Sequence, residues 1–189
     1  MGLGRVGAAC VAVLCCMPVL GAPLDPERSA ARATTALHSR TDGSGTTTFW
    51  GDGASYEISG PGMTVFFLRR GDGAVVAPLI RVAYVGDGWI NVRSVSFTVG
   101  ERTFGPYDDV YQQPTKLQVG PATRVEALMF SVDSDDKWRM LEAIAESDGL
   151  GRPVIAVFDA DAPYGIELDR ASKRATEQLV RGFRAATTR

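Results

Sequence analysis

The chain has 189 residues, enough for one domain with its own core, and its hydrophobic content of 45% with 22% charged residues is that of an ordinary globular protein. Its 20 Lys and Arg against 22 Asp and Glu leave a formal net charge of −2. That balance gives no electrostatic ground for binding nucleic acid or an anionic membrane surface.

The N-terminus departs from this average. Residues 1–5 carry one positive charge, at Arg5, and residues 6–22 are uncharged and apolar or small, ending in Val19-Leu20-Gly21-Ala22 between Pro18 and Pro23. That is the layout of a secretory signal peptide. A retained anchor would need about 20 spanning residues, and Pro18 interrupts the run short of that. Residues 1–22 are therefore expected to be cleaved, leaving a secreted or periplasmic protein with no membrane span. Lipidation would need a small residue directly before a cysteine at the end of the apolar run, and Cys15 and Cys16 follow Leu14 and Cys15 instead. Cys10, Cys15 and Cys16 are the only cysteines. The mature chain is thus expected to hold together without disulfides.

Residues 23–45 are small and polar and are read as a flexible lead-in. Residues 46–189 read as a single β-rich domain. Short strands are predicted over 46–50 and 56–59. Residues 63–68, apolar on both faces, predict a central strand covered on both sides. Over 79–85, Ile80, Val82 and Tyr84 alternate with Leu79, Arg81, Ala83 and Val85, as in a strand. Gly86-Asp87-Gly88 has the composition of a tight turn, with a second strand predicted from Trp89. In that strand Ile90 and Val92 fall on even positions, but Val95, Phe97 and Val99 fall on odd ones. Such a face switch predicts a bulge or bend near Arg93-Ser94, of the kind by which a strand passes from one sheet region to another.

A turn at 99–102 leads to a short strand at Thr103-Phe104. Residues 106–114 read as an exposed polar loop. A weak strand follows over 116–119 and a stronger one over 123–132, with Val125, Ala127 and Met129 on its odd face and Arg124 and Glu126, then Leu128 and Phe130, on its outer, even face, which turns apolar half-way along and is expected to be covered there by a helix. A helix is predicted over 135–148, capped by Ser134 or Asp133, with Trp138, Leu141, Ile144 and Ala145 along one side. Residues 153–158 predict a buried strand, 159–165 a loop and 166–168 a brief extension. Asp169 can cap a last helix over 170–186, with Ala171, Ala175, Leu179, Val180 and Phe183 on one face. The fold class is α+β, an antiparallel β-sandwich-like domain with two C-terminal helices.

Several chemistries lack their residues. His38, the one histidine, lies in the lead-in, so no Ser-His-Asp triad is expected. The mature chain has no thiol for a nucleophile or a structural zinc site. No phosphate-cradling glycine loop or dinucleotide fingerprint occurs. No catalytic residue is assigned and no cofactor is expected beyond calcium. Two acidic groups, Asp133, Asp135 and Asp136, and Asp159 and Asp161, offer the oxygen-rich loops that calcium requires, although capping and turn roles also explain them. Among the aromatics Trp50, Trp89, Tyr107, Tyr111 and Tyr164, which could line a sugar- or peptide-binding surface, Tyr107 and Tyr111 are the ligand-binding candidates because their loop is polar.

The run Tyr84-Val85-Gly86-Asp87-Gly88-Trp89-Ile90, then Val95-Ser96-Phe97-Thr98-Val99-Gly100, then Ile144-Ala145-Glu146-Ser147, a strand and a final helix, resembles exported bacterial domains of uncharacterised function. The resemblance covers the last two thirds of the chain and implies no catalytic residues. Residues 179–186 (LVRGFRAA) are similar to the end of invasion-associated locus B proteins, also exported and β-rich, though those usually have cysteines. The reading is an exported, non-enzymatic domain that binds a protein or glycan partner at the bacterial envelope or surface. The alternatives are a carboxylate-based glycan hydrolase, with or without calcium, and a calcium-stabilised structural module.

Overall fold

The computed structural model describes residues 37–52, 61–109 and 113–187. The described residues begin with four strands, β1 (His38–Thr41), β2 (Thr47–Trp50), β3 (Gly62–Arg69) and β4 (Leu79–Gly86). Four more follow, β5 (Ser94–Val99), β6 (Arg102–Asp108), β7 (Thr115–Val119) and β8 (Thr123–Ser131). Helix α1 (Asp135–Ser147), strands β9 (Val154–Asp159) and β10 (Tyr164–Glu167) and helix α2 (Arg170–Thr187) complete it. The strands form a six-stranded sheet, β1-β2-β3-β4-β8-β7, and a four-stranded sheet, β10-β9-β5-β6. Every pairing is antiparallel. The domain is α+β and sandwich-like, as its periodicity predicts.

The switch of apolar face between Val92 and Val95 is a change of sheet. β4 lies in the larger sheet and β5 in the smaller, so Gly86-Asp87-Gly88 does not close a hairpin. Residues 87–93 form a crossover and not the start of a strand. Ile80, Val82 and Tyr84 enter the shared core from one sheet, and Val95, Phe97 and Val99 from the other. The register does shift, but between Val95 and Phe97 where β5 meets β6.

Aromatic contacts run through the core. Phe49 stacks on Phe67 with ring centroids 4.8 Å apart, and Phe67 meets Phe183 of α2 edge-on at 5.5 Å. Phe183 in turn contacts Trp138 of α1 at 5.2 Å. Tyr107 of the smaller sheet stacks on Phe130 of the larger at 5.1 Å. Both helices have their expected caps. Ser134 Oγ accepts from the Lys137 amide at 3.5 Å, and Asp169 Oδ1 accepts from the Ser172 amide at 2.7 Å.

Four expectations need correction. Residues 38–41 are not lead-in but an exposed edge strand, which His38 begins by bonding Asp52 Oδ1 at 2.8 Å and stacking on Trp50. β6 extends through Asp108, so Tyr107 sits in a strand and not in a polar loop. In β8 the even face, with Glu126, Leu128 and Phe130, is the one in or against the main core, while Val125 and Ala127 pack with Ala83 on the opposite face. β9 alternates, leaving Ile155 and Val157 exposed, because no layer covers that side of its sheet at those positions. The strand predicted over 56–59, the leader and Tyr111 lie outside the described residues.

Helix α2 approaches the end of β2 so closely that a Cβ on Gly51 would lie 2.3 Å from the Ala175 carbonyl oxygen. The neighbouring Asp52 amide bonds Gln178 Oε1 at 2.7 Å, fixing the same contact. Backbone cannot retreat as a side chain can, so Gly51→Ala should cost about 1–3 kcal/mol, the range of overpacked cores. Gly88, with nothing within 4 Å of its Cβ position, is the control. Chemical denaturation of G51A and G88A checks this: only the first should lower the midpoint markedly.

Candidate functional site

The site begins with Glu126 on β8. Its side chain is fully buried, with 0% exposure, on the face of β8 that also carries Leu128 and Phe130. A lone carboxylate there would be expensive to desolvate, by several kcal/mol. It is met by three backbone donors from the crossover: Ile90 and Asn91 amides reach Oε1 at 2.5 and 3.0 Å, and the Val92 amide reaches Oε2 at 3.0 Å. Lys116 Nζ stands 3.9 Å from Oε2. Three successive amides can point at one anion because Asn91 takes φ 51°, a conformation asparagine tolerates better than most residues.

Other bonds brace the crossover from the smaller sheet. The Arg93 amide bonds Asp159 O at 2.8 Å, and the Asp161 amide bonds Ile90 O at 2.9 Å. Arg93 divides its guanidinium between two carboxylates, Asp159 Oδ1 and Asp161 Oδ1, each at 2.8 Å. Asn91 Nδ2 donates to Asp161 Oδ2 at 2.6 Å, and Lys116 Nζ donates to Asn91 Oδ1 at 2.6 Å. Hydrogen bonds and charge from Arg93 hold Asp159 below the usual carboxylate range, and bonds from Asn91 and Arg93 do the same for Asp161.

Two aromatics are exposed at this end. Trp89, 40% exposed, carries Lys116 Nζ 5.4 Å and Arg124 Cζ 5.6 Å from its ring centroid. Tyr164, 36% exposed at the start of β10, meets Tyr84 edge-on at 4.8 Å. Tyr84 turns its phenol over Gly86, where a Cβ would fall 1.9 Å from the hydroxyl oxygen. Burial, then the Asp87 charge, pushes the Tyr84 phenol pKa up. On the far side of Arg93 lies a crevice of about 340 Å³ lined by Val92, Arg93, Asp108, Asp109 and Pro114. Asp109 Oδ2 there accepts from the Met129 amide at 2.6 Å.

The residues singled out in the sequence separate. Asp159 and Asp161 come together, but around Arg93. Asp133 pairs with Lys137 Nζ at 2.8 Å and accepts from Ser131, two bonds that hold its pKa down, while Asp135 lies exposed in the first turn of α1. Asp136 Oδ2 accepts the Tyr107 hydroxyl at 2.6 Å. Tyr107, expected to be exposed, is buried at 6%, and burial followed by the Asp136 bond pushes its pKa up. Among the described residues, no group of three or more His, Cys, Asp or Glu is placed to hold a metal ion. Among the same residues, no helix is long and apolar enough to cross a membrane.

Asn91, Arg93, Lys116, Arg124 and Glu126 went unnoticed as a set in the sequence. The one signal was Glu126 itself, a charge set between Val125 and Ala127-Leu128 in a strand. Compared with known proteins, the chain matches no family model, no curated protein and no solved structure.

Two outcomes test this geometry. Glu126→Gln replaces one acceptor oxygen with a donor that faces backbone N–H groups, so stability should fall by about 2–4 kcal/mol in urea titration, an unmet buried donor and the lost charge acting together. The depressed carboxylates at Arg93 favour the folded state above their unfolded pKa, and that contribution is lost as pH falls through the folded value. In Arg93→Gln, carboxyl-detected NMR should show Asp159 and Asp161 titrating at higher pH than in the parent chain.

Proposed function

We propose that the protein is an exported, non-enzymatic β-rich domain that binds a protein or glycan partner at the bacterial envelope or surface, and that the partner meets it at the Trp89 crossover. One observation carries this reading: a large aromatic side chain is left 40% exposed on a segment whose backbone is fixed by a fully buried carboxylate. Solvent-exposed crossovers are usually mobile. Here three amides, Asn91 in a sparsely populated conformation and bonds to both sheets hold the loop, and strain of that kind gathers at functional positions. A preorganised aromatic surface gives up little entropy on binding. Export rests on the apolar, uncharged run over residues 6–22.

The carboxylates lend the hydrolase alternative no support. A glycosidase's general acid keeps its proton near neutral pH. Asp159 and Asp161 are shifted the other way by their contact with Arg93.

The test is cosedimentation of the mature chain, starting at Pro23, with washed cell envelopes. Trp89→Ala should reduce retention at least tenfold, as loss of a central aromatic contact does. Its melting temperature should stay close to the parent's, since the ring is outside the core. Equal retention of W89A would remove this surface from the reading.

A further inference from the structure

We propose that β7 is a dimerisation edge, at which two copies of this chain pair their Thr115–Val119 strands antiparallel about a two-fold axis through Leu117. The larger sheet ends on β7, and among the described residues no strand lies on its outer side. All of β7 is exposed, including two aliphatic side chains, Leu117 at 42% and Val119 at 47%. An open edge with apolar side chains is a template for another strand, and edges are normally guarded by charges, prolines or bulges. The other three edges have such guards. β1 carries Arg40 and β10 carries Glu167, both exposed, while β6 carries Pro106, which has no amide hydrogen to offer. The one charge of β7 is Lys116, and it is turned to the crossover, donating to Asn91 Oδ1 at 2.6 Å beside the buried Glu126.

What fits this edge is set by the register. Leu117 lies opposite Val125 of β8, and Val125 lies opposite Val85 of β4. This aliphatic row is on the sheet face away from Lys116 and Glu126, and it stops at the open edge on exposed Leu117. The order Thr-Lys-Leu-Gln-Val is compatible with its own reverse. A two-fold axis at residue 117 sets Leu117 against Leu117, each Thr115 against a Val119 and each Lys116 against a Gln118. The row then runs Val85-Val125-Leu117-Leu117-Val125-Val85 without a break, and no like charges are opposed. Such a contact is isologous and consumes the β7 edge of both copies, so it closes at two. One short strand from each copy is at the small end of specific interfaces, and the dimer is accordingly a weak one.

Sedimentation velocity of the chain starting at Pro23, from about 10 µM to about 1 mM, should show a monomer passing to a dimer with no larger species. Leu117→Lys sets two ammonium groups against each other on the axis and should weaken association about tenfold or more. Its melting temperature should stay near the parent's, because the side chain is exposed. Leu150→Lys, in the exposed turn after α1, removes a similar side chain elsewhere and should leave association unchanged. A second readout reports the register. The chain from Pro23 contains no cysteine, and residue 117 alone meets its own copy across the axis, at a Cα separation that a disulfide spans. Leu117→Cys should therefore form a covalent dimer under mild oxidation, and Thr115→Cys should not. A monomer throughout the range, the outcome if this edge takes a foreign strand, overturns the inference. So does a dimer that L117K leaves intact, or equal cross-linking of L117C and T115C. Envelope retention through Trp89 is measured separately, and neither result decides the other.

Discussion

The Glu126 carboxylate is the constraint on which the rest of the molecule's functional end depends. Burying a charge costs several kcal/mol, and removing its partners would leave that cost unmet. Each charge-assisted hydrogen bond returns about 1.5–3 kcal/mol, so three amides with a lysine nearby are of the size needed to offset that cost. Their geometry leaves little choice for residues 90–92. Asn91 must hold a positive φ, and the side chains of Ile90 and Val92 are then delivered to the core although neither lies in a strand.

That requirement also explains how two sheets become one domain. The chain leaves the larger sheet at Gly86 and joins the smaller at Ser94. Glu126 belongs to β8 of the larger sheet and grips the crossover from that side. Asp159 O and the Asp161 amide, at the end of β9 in the smaller sheet, grip it from the other. The aromatic packing of Tyr107 on Phe130 then joins layers whose relation is already set by polar contacts at one end. Residue 89 falls just before the locked segment, so its indole is carried outward on a rigid base.

Strands and helices were legible in the sequence because burial imposes periods of 2 and 3.6 on apolar side chains. The α1 and α2 faces, the two caps and the central position of β3 followed from that. What was not legible is what periodicity does not encode. The even-to-odd shift between Val92 and Val95 signalled a bend, but a bulge within one strand and a passage between two sheets leave the same pattern. Tyr107 sat in polar company along the chain, and only its meeting with Phe130 and Asp136 across the fold buries it. The outward assignment of Glu126 followed the rule that charges face water. It failed because the partners are backbone amides, which have no sequence signature.

The same limit governs how the aspartates are to be understood. In the sequence Asp159 and Asp161 read as a solvated turn, or as the oxygen-rich loop that calcium requires. In the fold Arg93, which is distant along the chain, is placed between them, and their charge is spent on bracing the crossover. Once the mutually satisfied groups are set aside, what remains exposed at this end includes Trp89, Tyr164 and the Asp87 carboxylate. Carboxylates dominate the sequence here, yet two of them share one guanidinium, a third is buried against backbone amides, and the exposed apolar surface beside them is aromatic. A functional reading therefore follows from how the fold pairs these charges and which aromatic rings it leaves exposed beside them, and the count of charges along the chain is a poor guide to it.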